Sequence, residues 1–382
     1  MIPSSAKQVE WMMRDTPDCQ PDLRLQLSDA DKAGLNILFL AKHAAGDGSP
    51  NAVDGTHAVY HQELRETLRG IGLNLMIGTS YRDLIDAPKP DFLFTLLNRG
   101  GFLNSEMFAP MIATWRDIPH LGASPILRGL GDDKHLMKLA ARHRGVATPA
   151  STIHRNGSGP VVVPDLGMKM VVKPNASSAS WGVAILEDRD EMHSHALWLT
   201  SEGHDVLFES YADGIELAVP IIGDAEGGAM FLPVMQYTSD DDDRLRTYEE
   251  KRGLKPTTEG FTPCLDQQLC AVVLSEARKL IPEIWPFDYG RMEFKVRPDT
   301  GETAFLELNM SCNLWSRKTL ALSWRSLGYT HAELVETILA HSLIRQGLIN
   351  AAAPNQKVAS NVLHRARPGS PQTWREESAL TG

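Results

Sequence analysis

Cysteine is scarce in this sequence of 382 residues: only Cys19, Cys264, Cys270 and Cys312, with no Cys-x-x-Cys among them. That argues against a disulfide framework and a thiolate zinc site, and it suits a reducing compartment. There is no long Lys/Arg block, and the formal net charge is −10. Nucleic acid is therefore not expected as the main partner, although a local basic pocket can still take phosphates. No apolar run reaches the roughly 18 residues that a membrane span needs. The start, "MIPSSAKQVEWMMRD", lacks a basic-then-apolar signal pattern, so a cytoplasmic protein with no membrane partner is expected. Neither G-x-x-x-x-G-K-[ST] nor G-x-G-x-x-G occurs, which sets aside the P-loop and the Rossmann fingerprint. No internal repeat is visible. What is present is ordinary for a globular chain, 42% hydrophobic and 23% charged, and the length predicts two or three domains.

The first third alternates strand, loop and helix. "LNILFLAKH" (35–43) and "DFLFTLL" (91–97) read as buried strands, with a helix from about Ala58 to Arg69 between them. "HLMKLAARHRG" (135–145) has helical period and stops at Gly145, so this part predicts an open α/β layer. Residues 161–222 read as short strands around one helix, an α+β pattern. The stretch from Thr238 to Gly260, with four consecutive aspartates, reads as a mobile turn. "GRMEFKVRPDTGETAFLELN" (290–309) predicts a hairpin turning at "PDTGE". A last helix begins at Thr330, where Glu333 completes a capping box, and from Asn350 a Pro/Ser/Arg-rich tail is expected to be loosely held.

The chemistry concentrates in that hairpin. Period two puts Phe305, Glu307 and Asn309 on one face of their strand, and antiparallel pairing lets Glu293 share it. Two carboxylates and an amide oxygen are hard ligands, suited to Mg²⁺ that also touches a nucleotide phosphate. Arg291 alongside would meet developing negative charge. A cross-strand surface ladder of Arg, Glu and Lys is the bland alternative. Lys173 ends the strand "MVVKP" and precedes "NASSASWG", a small-residue loop able to bring N–H groups to phosphate; a solvated strand-end lysine is the commoner case. Lys134 opens a helix, where a positive charge opposes the dipole unless an anion is bound. In "VLFESYADGIE" (206–216), Glu209 ends a strand and Glu216 follows a turn, placing backbone for an adenine edge and carboxylates for ribose, or else an ordinary turn with surface acids.

In this order the segments resemble the ATP-grasp ligases, and most of all the D-alanine–D-alanine ligase group. The resemblance runs from about "DFLFTLLNRGG" to "HAELVETIL", some two-thirds of the chain. It implies an ATP-grasp fold of α/β class: an N-terminal open α/β domain (1–125), two α+β subdomains (126–215 and 216–350) that clamp ATP, and a tail (351–382). It implies ATP bound by Lys134, by Lys173 with Ala179 and Ser180, and by Glu209 and Glu216 with Ser210 and Ala212 offering backbone to adenine. Lys251, in "YEEKRGL", would approach the terminal phosphate from a mobile loop. Glu293, Glu307 and Asn309 would hold two Mg²⁺, replaceable by Mn²⁺, and Arg291 would stabilise an oxyanion. The implied reaction joins a small-molecule carboxylate to an amine through an acylphosphate, and a homodimer is common among relatives.

The substrate ends depart from the group. Where the group has Ser-Pro-Gly after the metal-binding asparagine and then Ser-Leu, this chain reads "MSCNLWSRKTL", which puts Asn313 and Lys318 at the acceptor end. The Glu-x-x-Val-Ser segment is replaced by a stretch holding Asp54 and His57. Trp315 and Trp324 would add apolar wall. Three readings follow: a ligase for an amino acid or small metabolite other than D-alanine, a true D-alanine–D-alanine ligase, or an ATP-binding regulatory protein without ligase activity.

Overall fold

Asn36–Leu40 reads NILFL, and every residue after Asn36 is buried. Such a strand fits only the middle of a sheet covered on both faces. The computed structural model, which describes residues 23–50, 55–97, 106–238 and 260–350, places it there. β1 (Asn36–Leu40) pairs in parallel with β2 (Asn74–Gly78) on one side and β3 (Phe92–Thr95) on the other. The helix His57–Ile71 makes the β1–β2 crossover and ends at Gly72 in the left-handed conformation. One face of this sheet shares its core with that helix and with the distant helix His331–Arg345: Phe39, Phe92 and Phe94 meet Leu64, Leu68, Leu334 and Ile338.

A second sheet holds β4 (Ser151–His154), β5 (Met170–Pro174), β6 (Ala184–Leu186) and β7 (Val206–Ser210) in the order β4-β7-β5-β6, all antiparallel. Met170, Val172, Val206 and Phe208 point from it onto Met192, Ala196 and Leu199 of the helix Arg189–Ser201. The third sheet comprises β8 (Ile215–Gly223), β9 (Ala229–Phe231), β10 (Met235–Thr238), β11 (Gly260–Pro263), β12 (Tyr289–Val296) and β13 (Thr303–Asn309). Its order is β11-β10-β8-β12-β13, with β9 beside β8. The helix Gln267–Ile284 covers one face, packing Val273, Ala277 and Ile284 on Met292, Phe294 and Phe305.

The local signals hold. Gly145 takes φ +69 just past the helix Lys134–His143, and Thr330 with Glu333 forms the capping box of the last helix. The β12–β13 hairpin turns at Gly301, which has φ +71. One expectation fails. Phe305 does not share a face with Glu307: its ring packs on Phe294 in the core, 5.5 Å between centroids. The register explains this, because Glu293 pairs with Glu307 while its neighbour Phe294 pairs with Phe305. Leu306 is thus an extra residue, a β-bulge, and it reverses the alternation that an ideal strand would keep.

The chain's distant parts meet at Asp288, which is 1% exposed. Its Oδ1 accepts from Arg345 Nη2 at 2.7 Å and Nε at 3.1 Å, and its Oδ2 accepts from the Ser342 hydroxyl at 2.6 Å and from the Gly122 N–H. Burial pushes this carboxyl above its ordinary range, although Arg345 opposes the shift. Asp288→Ala would leave the guanidinium and the amide without their acceptor. It should lower unfolding free energy by roughly 3–5 kcal/mol, measured by urea titration.

Candidate active site

A carboxylate inside a protein must find cations, and Glu209, which is 2% exposed, finds two. Lys173, on the neighbouring strand β5, donates to Oε2 at 2.9 Å. Lys138 lies 3.2 Å from Oε1 and has no exposed surface. Burial pushes the Glu209 carboxyl up, but Lys173 and then Lys138 outweigh it and hold it below the usual range. Burial likewise brings the Lys138 ammonium down to about 8, against the pull of Glu209. Lys138 was not among the residues expected from the sequence. The available signal was its spacing: four residues after Lys134, it shares that lysine's helix face.

Lys134 opens its helix, as expected, and the anion that relieves its position is internal. Its Nζ lies 3.5 Å from Glu307 Oε2 and donates to the Ser177 carbonyl at 3.2 Å. Asn175 fixes this helix start to the loop after β5: the Lys134 N–H donates to its carbonyl at 3.2 Å, and the His135 N–H to its side-chain oxygen at 2.9 Å. Within that loop Ala179 and Ser180 hold φ +55 and +57, the left-handed region, which is rare for residues other than glycine and stores strain. Gly182 follows at φ +70, where a Cβ would come within 2.9 Å of Pro174. Two of the residues expected at a nucleotide's phosphates are thus the strained ones.

On the third sheet, Glu293 and Glu307 are direct cross-strand partners, and Arg291 faces Asn309 one step along. All four share the face away from the core, with side chains opposite one another at roughly 5 Å between Cβ atoms. Arg291 pairs with Glu293 and donates to Thr319 Oγ1 at 3.4 Å. Although burial works against its charge, Glu293, and to a lesser degree Glu307 and Glu216, raise its affinity for the proton. Among the described residues no cluster of three His, Cys, Asp or Glu is placed to hold a metal ion. The donor set is instead two facing carboxylates and the Asn309 amide, oxygen ligands that fit a hard cation retaining several waters. Lys134 and Arg291 now supply the positive charge at these carboxylates.

Between the sheets, the turn from Glu209 to Glu216 depends on Gly214, at φ +110. A Cβ there would meet the Val296 carbonyl at 2.2 Å. The Gly214 carbonyl accepts from Lys295, the register partner of Glu216, at 2.8 Å. Ala212 is half-buried in this turn, and the Ser210 N–H is committed to the Ala150 carbonyl at 2.9 Å.

The expected substrate residues gather at another edge. His57 begins its helix one turn before Tyr60, whose hydroxyl accepts from the Leu314 N–H at 3.0 Å. Asn313 caps its own turn, accepting from the Trp315 N–H at 2.8 Å, and half-buried Lys318 is the N-cap residue of the helix Thr319–Ser326. Glu63, missed in the sequence, accepts from Trp315 Nε1 at 2.8 Å and from the Ser316 N–H at 3.0 Å. The two tryptophans do not form an exposed wall: Trp324 has no exposed surface and lies against Tyr329, and Trp315 is 7% exposed against Tyr60. Asp54 and Lys251 lie outside the described residues.

A lysine and a buried glutamate on one antiparallel sheet, joined through two lysines of one helix to paired acids on another sheet, are the arrangement of the ATP-grasp ligases. The family model described as "D-ala D-ala ligase C-terminus" matches residues 144–340, more than half of the sequence. The chain belongs to this family of ATP-dependent carbon–nitrogen ligases. It is 25% identical over 228 residues to the D-alanine–D-alanine ligase of Cupriavidus necator, covering 58% of this chain and 67% of that one. The ligase of Nitrosospira multiformis is 28% identical over 230 residues, with coverage of 58% and 70%. In fold it is similar to the D-alanine–D-alanine ligase of Bacillus anthracis solved with ATP, with a TM-score of 0.65 at 20% identity, covering 82% of this chain and 99% of that one.

The strained loop gives a test of unusual sign. A left-handed alanine costs about 1–2 kcal/mol, whereas glycine costs about 0.5–1 kcal/mol through the unfolded chain. Ala179→Gly should therefore stabilise the protein by roughly 0.5–1 kcal/mol, read as a higher thermal midpoint.

Proposed function

We propose that this enzyme activates a substrate carboxylate with ATP and joins it to an amine, at least one substrate being an amino acid or small metabolite other than D-alanine. The observation that carries the reading is the facing pair Glu293 and Glu307, held beside Lys134. Phosphoryl transfer asks a protein mainly for position and compensating charge. Lys173, with the Ala179–Ser180 loop, would neutralise and orient the phosphates, helped by Lys251. Glu209, Ser210, Ala212 and Glu216 would hold the nucleoside. Glu293, Glu307 and Asn309 would hold two Mg²⁺, which neutralise phosphate charge and polarise the transferred group. Attack of the carboxylate oxygen on the γ-phosphorus breaks the bond to ADP and leaves an acylphosphate. The amine then adds at the acyl carbon, and Arg291 would stabilise the oxyanion before phosphate departs.

On the same reading the enzyme is a cytoplasmic homodimer whose chain divides near residues 125 and 215. Among its described residues no helix is long and apolar enough to cross a membrane. The relatives' named activity supports a second reading, a true D-alanine–D-alanine ligase. The substrate edge supports the first: His57, Asn313 and Lys318 stand where the group has its own substrate-handling residues.

ADP release separates these readings when measured without amino acid, with D-alanine, and with single amino acids in turn. Turnover with D-alanine alone favours the second reading, and turnover confined to other amino acids the first. Glu307→Gln keeps the side chain's volume but removes a charge, so turnover should fall at least a hundredfold with an unchanged thermal midpoint. Turnover within a few-fold of wild type would remove the acid pair from the chemistry.

Lys318 tests the acceptor end. A charged hydrogen bond to an acceptor carboxylate is worth roughly 1.5–3 kcal/mol, or about 10- to 150-fold. Lys318→Ala should raise the acceptor KM by that factor while leaving the KM for ATP unchanged.

A further inference from the structure

The ammonium of Lys138 has three hydrogens and meets three oxygens: Thr148 Oγ1 at 3.0 Å, Glu209 Oε1 at 3.2 Å and the Phe305 carbonyl at 3.3 Å. The third is the unusual one. Phe305 is the last residue of β13 before the bulge at Leu306. Its N–H donates to the Ala147 carbonyl at 2.8 Å, so both of its backbone groups are taken by the segment 138–147 rather than by bulk water. Were Leu306 paired regularly instead of bulged, the alternation set by Phe305 would carry Glu307 into the hydrophobic core and turn Leu308 out of it. The bulge is therefore what gives the third sheet its facing acids. The residues that hold it come from the helix Lys134–His143 and the chain after it, not from the hairpin.

We propose that Lys138 is a positioning residue for metal binding: by holding the Phe305 carbonyl it fixes the bulge that turns Glu307 toward Glu293, and Glu209 keeps the lysine in place. This rests on the reading of Glu293, Glu307 and Asn309 as the metal-binding set. It reaches beyond that set because Lys138 touches neither metal nor nucleotide. It also explains why a fully buried lysine, an expensive group to desolvate, stands where a leucine or methionine would pack.

The test is Mn²⁺ binding to the full-length protein without nucleotide, followed by the paramagnetic resonance of free Mn²⁺. Lys138→Met removes the donor at nearly constant volume and should weaken Mn²⁺ at least fivefold. Because that variant leaves Glu209 with one fewer cation, the double variant Lys138→Met/Glu209→Gln removes that pair's charges and leaves Lys173 as the cation beside the new amide. It should recover part of the lost thermal midpoint yet keep the weakened Mn²⁺ affinity, which a merely stabilising ion pair would not predict. Mn²⁺ affinity within twofold of wild type in either folded variant overturns the role of Lys138. Glu307→Gln run in parallel should weaken Mn²⁺ more than tenfold. If it leaves Mn²⁺ unchanged, the metal reading itself falls, and that outcome is distinguishable from failure of the inference alone.

Discussion

The site depends on one buried negative charge. Glu209 sits at the end of β7 with its carboxylate out of water, a position that is tolerable only while cations surround it. Its two lysines differ in kind: Lys138 is wholly enclosed, whereas Lys173 is 8% exposed at the rim. A rim lysine can exchange a carboxylate for an incoming phosphate, and an enclosed one cannot. The pair thus divides two tasks, permanent neutralisation and adjustable charge, which one lysine could not perform together.

From that charge the geometry propagates. Lys134 and Lys138 leave the same helix one turn apart; the first reaches Glu307 and the second reaches Glu209 and the strand that carries Glu307. One helix therefore sets the spacing between Glu209 on the second sheet and the acid pair on the third. A spacing fixed by a helix varies less than one fixed by loops, which matters for phosphoryl transfer, where misplacement by an ångström is costly. The loop after β5, with its left-handed Ala179 and Ser180, is held by anchors of its own. The Trp181 N–H donates to the Ser178 carbonyl at 3.2 Å, and the Gly182 carbonyl meets His195 Nε2 at 2.9 Å.

Much of this was legible in the sequence, and the failures have physical causes. Strand period and turn residues were enough to place the β12–β13 hairpin and to put Glu293 opposite Glu307. The same period misassigned Phe305, because a bulge is decided by tertiary partners, here Ala147 and Lys138, that carry no local mark. Lys138 itself looked like any helical lysine; only burial distinguishes it, and burial is a property of the assembled sheets. Trp324 looked available for a pocket because large aromatics near a site often line one, yet the core between the first sheet and the last helix claims it. Glu63 was invisible because its partners lie more than 250 residues along the chain.

That long-range contact bears on how the substrate end can change. The turn from Asn313 to Ser316 is pinned from three sides: Tyr60 holds the Leu314 N–H, Glu63 holds Trp315 and Ser316, and His331 meets the Leu314 carbonyl at 2.7 Å. Two of these side chains come from the first crossover helix and one from the last helix, so the turn's path is set by elements that also build the shared core. Altering that path would disturb the core, whereas replacing a side chain along it would not. On the proposed reading, a new acceptor is therefore accommodated by the identity of residues such as Asn313 and Lys318 on a fixed turn. The same constraint lets side chains along the turn differ while β13 just before it keeps its register with β12.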